Sequence, residues 1–401
     1  MNNSWTRTSL GEICMFRAGT AFPKEFQGDA SGEIPFIKVS DLKHSANSLY
    51  IRHSANWVDM STVEHLKASL LYPGAIVFAK IGEGLKAERF RLVARPTCID
   101  NNLMGAIPQG INTYFLYYLM VHTGVAHLVE GSALPYLRQS DLERIPVCVP
   151  PNDEQQRIAR VLGALDDKIE SNRAVVTRAE QLVDEIAKQK ATVLPTVALS
   201  EVCSLSKSTW KPETSPDQTV QLFSLPAFDE GATPEQAAVA SIKSNKTLMD
   251  RPGILVSRLN PRISRMWWVE TDAARVNVCS PEFAYLTAGD SHGLACTWLA
   301  VRSPEFRGEI VDRVTGTSGS HQRVRPADLM TIGVPDYRSL AEHTQITVLT
   351  LLHLVSARRQ QSVALAELRD ALLPELMSGR MRVDEAGRLV SEALDEEVAD
   401  V

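Results

Sequence analysis

Between Ile158 and Ile186 the apolar positions recur at alternating steps of four and three: Ile158, Leu162, Leu165 and Ile169, then Val176, Ala179, Val183 and Ile186. That spacing keeps one stripe on one side of an α-helix and is the seam of a coiled coil. Asn172 falls on the stripe, where a polar residue fixes register at some cost in stability. Asn152 is a good N-cap and Gln155 stands three later, as in a capping box, with Asp153 and Glu154 in the first turn where the helix dipole favours acids. The pattern closes near Leu194, before Pro195, so about 40 residues of helix are predicted, about 60 Å long.

Elsewhere the pattern changes. Short apolar, β-branched runs such as IPFIKV and AIVFAKI are bounded by Gly, Pro, Asn and Asp, as strands between turns are. The stretch NTYFLYYLMVHTGVAHLV, residues 112–129, reads as a helix.

The chain also repeats itself. LGEIC (Leu10 to Cys14) returns as LSEVC (Leu199 to Cys203), and YPGAIVFAKI (from Tyr72) as RPGILVSRL (from Arg251). RQSDLERIPV (from Arg138) returns as RPADLMTIGV (from Arg325), and EQQRI (from Glu154) as EHTQI (from Glu342). Each match is weak, but four in one order at nearly constant offset indicate a tandem duplication of a domain-plus-helix unit. The fold class predicted is α+β: a first domain over 1–150, a long helix over 151–195, a second domain over 196–336 and a second helix over 337–383.

Shifted by the repeat, the seam falls on Leu349, Leu352, Val363, Ala366 and Leu373, but also on Ser356, Arg359 and Asp370. The second helix is predicted to close at Pro374, which makes it the shorter of the two. A seam this long exceeds what one small domain covers. Antiparallel pairing of the two helices, with the domains at opposite ends, is the economical arrangement; the alternative packs each helix on its own domain only.

Composition adds little to this picture. Hydrophobic residues make up 44% and charged residues 22%, ordinary for a globular protein. The longest apolar stretch, ITVLTLLHLV, has ten residues and includes His353, too few to span a bilayer. With no signal-peptide pattern in MNNSWTRTSLGEI, a cytoplasmic protein away from membranes is expected. The net charge of −6 resides in residues 384–401, which hold seven acids and one base, Arg388; this end reads as a mobile acidic tail. The rest is neutral and free to carry a basic face.

No motif for catalysis emerges. The six cysteines form no CxxC, and His292 with Cys296 makes no metal site; buried free thiols are expected. KIGEGLK lacks the third glycine of a dinucleotide loop, LNPRI lacks the Pro and aromatic residue of a methyltransferase turn, and GTSGS (Gly316 to Ser320) is not a nucleophile elbow. Asp166 and Asp167, adjacent on a helix, diverge. Basic clusters carry more information. Lys80, Lys86, Arg138 and Gln139 in the first copy, and Arg258, Arg262, Arg265, Gln322, Arg323 and Arg325 in the second, stand at two matching places. Arg and Lys neutralise phosphates, and Arg and Gln make bidentate contacts to guanine and adenine edges. Trp267 and Trp268 beside them fit a core better than a stacking platform.

The stretch IPVCVPPNDEQQRIARVLGALDDKIESN resembles the IPLPPLxEQxxI and D-xx-I-xx-N pattern of type I restriction–modification specificity subunits. Pro150, Pro151, Glu154, Gln155, Ile158, Asp166 or Asp167, Ile169 and Asn172 match, as do GEIPFIKVSDL near the start and LRDALLPELMSGRMRV near the end. The second copy departs from the pattern with a single Pro335 and with His343 in place of Gln. The resemblance implies two target-recognition domains on an antiparallel coil, each reading half of a split sequence in double-stranded DNA, with the coil as a ruler. It implies a chain without catalytic residues or bound cofactor. Two methyltransferase subunits and restriction subunits would supply the chemistry, with S-adenosylmethionine, ATP and magnesium on those partners. A self-contained DNA methyltransferase with degenerate motifs, or a coiled-coil adaptor that never touches DNA, are the competing readings.

Overall fold

The computed structural model describes residues 5–129, 136–215, 217–314 and 322–395. The chain divides into two compact units, Met1–Glu170 with Ala364–Val401, and Ser171–Val363. Each long helix gives one part to each unit.

In the first unit a five-stranded sheet runs in the order Cys14–Ala18, Leu103–Pro108, Ile76–Ala79, Arg91–Val93, Tyr50–Ile51. A four-stranded sheet holds Trp57–Val58, Ile34–Ile37, Thr97–Ile99 and Leu70–Leu71. The helix Thr113–Thr123 packs Phe115, Leu116 and Tyr118 into the main core. In the second unit the sheet Ser204–Leu205, Phe283–Thr287, Gly253–Ser257, Met266–Val269 lies in the core with the helix Ser291–Arg302. A five-stranded sheet holds Thr209–Trp210, Lys246–Met249, Asn277–Cys279, Thr219–Phe223 and Glu235–Ala238.

The duplication is visible in matched details. Thr6–Ser9 pairs antiparallel with Pro146–Val149, and Thr196–Ala198 pairs antiparallel with Gly333–Pro335, so each domain ties its start to its end. The repeated LGEI and LSEV are both single helical turns. Leu10 N–H donates to Ile145 O at 3.0 Å and Leu199 N–H to Ile332 O at 2.9 Å. Cys14 and Cys203 each donate a thiol hydrogen back to the first leucine carbonyl of their turn.

The first long helix is Asn152–Ala191, 40 residues. Its start differs from the capping box read in the sequence. Glu154 and Gln155 N–H both donate to Pro151 O, so Pro151 stands at the cap and Asn152 is the first helical residue. The Gln155 side chain is buried; its Oε1 accepts from Asn112 N–H and its Nε2 donates to Pro150 O, both at 3.0 Å. Gln155 therefore staples the helix to the domain before it rather than capping it.

The second long helix is Glu342–Met377, 36 residues, and it continues past Pro374 instead of closing there. Only the last turn follows that proline. The Pro374 carbonyl accepts from Ser378 N–H at 3.1 Å and Ser378 Oγ at 2.7 Å, which satisfies a helix-end acceptor locally.

The two helices run antiparallel within each unit. In the first unit Ile158, Leu162, Leu165 and Ile169 share one core with Leu365, Leu372, Leu373 and Leu376. Full burial of each such side chain contributes about 1.5–3 kcal/mol. Asp166, only 4% exposed, bridges to Arg369 at 2.6 Å and accepts from the Tyr118 hydroxyl at 2.6 Å. Burial, with the Asp166 charge beside it, pushes the Tyr118 hydroxyl up, so it stays protonated and donates. In the second unit Val183 and Ala187 share a core with Val348 and Leu352. There Asn172, 2% exposed, donates to Gln361 Oε1 at 2.7 Å and Ser362 Oγ at 3.3 Å, and Arg359 pairs with Glu180 at 2.8 Å. Of the polar residues on the second seam, Arg359 thus has its partner on the first helix, whereas Asp370 is exposed and pairs with Arg369 of its own helix.

Transferring the first seam by the repeat misplaces part of the second. Leu352 and Leu373 are buried, but Leu349, Val363 and Ala366 are half-buried, while Val348, Val355, Leu365 and Leu372 carry the stripe. The second helix has its own phase, one residue off in places. On the first helix only Val176 and Ile186 of the seam are half-buried. The acidic end is also more ordered than expected. Val383–Asp395 is a helix whose Val383, Ala386 and Val390, at steps of three and four, are buried in the first unit's core. Asp384 and Glu385 sit in its first turn, where the dipole favours them.

Asp166→Ala should cost about 3 kcal/mol in chemical denaturation, because it strands a half-buried guanidinium and a buried hydroxyl. Removal of the exposed Arg380–Glu375 pair should leave the denaturation midpoint unchanged, because water screens it. Equal losses would contradict a role for Asp166 in fixing the helix pair.

Candidate DNA interface

In each unit two basic sequence clusters, far apart in the chain, meet at one strand end. In the first, Lys80 follows the strand Ile76–Ala79. Its N–H donates to Asn102 O and its carbonyl accepts from Leu137 N–H, both at 2.9 Å, and Ile81 bridges to Tyr136. In the second, Arg258 follows Gly253–Ser257. Its N–H donates to Glu282 O at 2.8 Å and its carbonyl accepts from Val324 N–H at 3.0 Å, and Leu259 bridges to Arg323. The next residue is left-handed in both: Gly82 at φ 60° and Asn260 at φ 47°. Arg138 and Arg325 each precede a five-residue helix, Gln139–Glu143 and Pro326–Met330.

The side chains divide by what holds them. Arg258 donates to Val324 O at 3.1 Å and Pro281 O at 2.9 Å, so it braces two segments rather than facing a ligand. Arg265 is held bidentately by Asp229 at 2.7 and 2.9 Å. Arg323 is held by both oxygens of Glu282, at 3.0 and 2.7 Å, and remains exposed. Lys80 is buried, with its ammonium 5.7 Å from the centre of the exposed Tyr136 ring, in a cation–π contact rather than open to phosphate. Lys86 pairs with Glu83 at 2.7 Å and Gln139 donates to Glu143 at 2.8 Å, both on exposed turns. Gln322 is half-buried, and its carbonyl accepts from Asn260 N–H. Arg138, Arg262 and Arg325 are exposed and have no side-chain partner among the described residues. His321 and the loop Gly316 to Ser320 lie outside the described residues.

A family model described as the type I restriction modification DNA specificity domain matches residues 2–181. Residues 2–181 are thus similar to that DNA specificity domain. It is 26% identical over 186 residues to the type I restriction enzyme MjaIX specificity subunit of Methanocaldococcus jannaschii. It is 27% identical over 194 residues to the EcoDI specificity subunit of Escherichia coli. These alignments cover 45% and 47% of this chain, and 42% and 37% of the relatives, so the chain spans less than half the length of the curated relatives it matches. In fold, it is similar to the crystal structure of the type I restriction-modification system S subunit from M. genitalium. The TM-score is 0.56 at 14% identity, with 94% of this chain and 97% of that one covered.

The stretch matched by the family model falls within the first copy; the second copy repeats its anchoring bonds and left-handed turn. Burial pushes the thiols of Cys14, Cys98, Cys203 and Cys279 up to about 12, so they are neutral near pH 7. Among the described residues no three His, Cys, Asp or Glu side chains gather as metal ligands would. No described helix is long and apolar enough to cross a membrane. Trp267 and Trp268 are buried, the first against Phe223, Phe228 and Phe283, the second against Trp298. Sequence reasoning missed the acids that hold the arginines, Glu282 and Asp229, and the aromatic lid Tyr136. It also passed over Asn260, although Asn-Pro is a turn signal.

Asn260→Gly should leave stability within about 0.5 kcal/mol, whereas Asn260→Val should lower it by about 1–2 kcal/mol, because a β-branched residue resists the left-handed conformation. Denaturant titration separates the two. Equal effects would show that backbone conformation is not what this position requires.

Proposed function

We propose that the chain is the DNA-specificity subunit of a type I restriction–modification complex. Each domain reads one half of a split target in double-stranded DNA, and the paired helices set the gap. The observation that carries this reading is the duplicated basic strand end, built on identical anchoring bonds in two domains that share one helix pair. The family match and the similarity to specificity subunits support it. The chain itself performs no chemistry. Two modification subunits supply S-adenosylmethionine and methylate the target, and restriction subunits supply ATP- and magnesium-dependent cleavage.

Matched seven-residue insertions in both helices, after Val176 and after Arg359, should lengthen the pair by about 10 Å. Methylome sequencing of cells carrying this variant with its modification subunits should show both half-sites unchanged and a spacer about three base pairs longer. Unchanged spacing would remove the ruler from the account. Methylation of DNA by the purified chain alone would instead establish a self-contained methyltransferase.

A further inference from the structure

The loop from Arg258 to Arg265 joins the antiparallel strands Gly253–Ser257 and Met266–Val269. Both of its ends are pinned. Arg258 bonds two backbone carbonyls, and Arg265 is gripped by Asp229 while its own carbonyl accepts from Ser257 N–H at 2.9 Å. Between the posts, Asn260 N–H donates to Gln322 O and Ile263 N–H donates back to Asn260 O, each at 2.9 Å, closing a tight turn over the buried Pro261. The turn projects two side chains. Arg262 is exposed with no partner among the described residues, and Ile263 is 51% exposed, an apolar residue in a polar loop.

The equivalent hairpin of the first domain, between Ile76–Ala79 and Arg91–Val93, starts from the same backbone anchor and from a left-handed residue at the matching place, Gly82. It then forms the short helix Gly82–Lys86, with Leu85 buried and a Glu83–Lys86 ion pair outside. The anchor is shared and the projecting segment is not. That is what two readers of different half-sites on one scaffold require.

Resting on the specificity-subunit reading, we infer that the Arg262–Ile263 tip reads base edges in the half-site of the second domain. The Arg262 guanidinium bonds a base edge in the major groove, and the Ile263 side chain packs on a thymine C5-methyl group. The pinned turn presents both groups with little ordering cost on binding.

The test uses the complex of the full chain with its modification subunits and duplexes of the target found by methylome sequencing. Ile263→Ala should bind the target about fivefold to tenfold more weakly, and Ile263→Leu should restore most of the loss. Replacing one thymine of the second half-site by uracil should weaken the wild-type complex by the same factor and leave Ile263→Ala unaffected. Arg262→Ala should lose about tenfold at one base-pair position and leave discrimination in the first half-site intact. Unchanged thermal unfolding of both variants, expected for exposed side chains, ties these losses to DNA. The inference is overturned if Ile263→Ala binds as wild type does, if the second half-site contains no A·T pair, or if Arg262→Ala weakens unrelated sequences equally, as a phosphate contact would. Failure of the wild-type complex to prefer its target over a scrambled duplex would sink the specificity reading itself; loss of the tip alone would not.

Discussion

An apolar stripe on a 40-residue helix must be covered along its whole length, and most of this molecule follows from how that is done. Ile158 to Ile169 are buried in the first unit with leucines from the end of the second helix. Val183 and Ala187 are buried in the second unit with Val348 and Leu352 from its beginning. Each domain core therefore contains both helices. Polar pairs along the seam, Asp166 with Arg369 and Asn172 with Gln361, permit only one register, because any slip would leave a buried charge or amide unpaired.

On this frame the duplication separates what is constant from what is free to vary. The strand pair that closes each domain, the one-turn helix after its first strand and the backbone bonds at Lys80 and Arg258 recur. The segments that follow Gly82 and Asn260 diverge. Even the left-handed turn is met by two different residues with the same tolerance, glycine through its missing Cβ and asparagine through its short polar side chain. A scaffold that fixes position and a tip that differs suit recognition of two unlike half-sites.

Much of this was legible in the sequence. The four-and-three spacing gave the first helix nearly to the residue, and the four weak internal matches gave the two-domain plan. The second helix was harder, because its stripe runs one residue out of phase in places and Arg359 makes sense on it only beside Glu180. Val383–Asp395 looked like a tail because charge dominates its composition, while three apolar residues at helical spacing suffice to dock it. The candidate interface was legible as a place and not as contacts. Arginines held by Glu282 and Asp229 look the same in sequence as Arg262, which no described residue holds. Partners brought in from distant strands leave no local mark.

The central claim is that two domains of common origin each read half of one target. A hybrid in which residues 1–150 also replace residues 196–336 tests it most directly, with methylome sequencing as the readout. The account predicts methylation at a new target whose two halves are both the half-site read by the first domain. Methylation still confined to the original asymmetric target would contradict it.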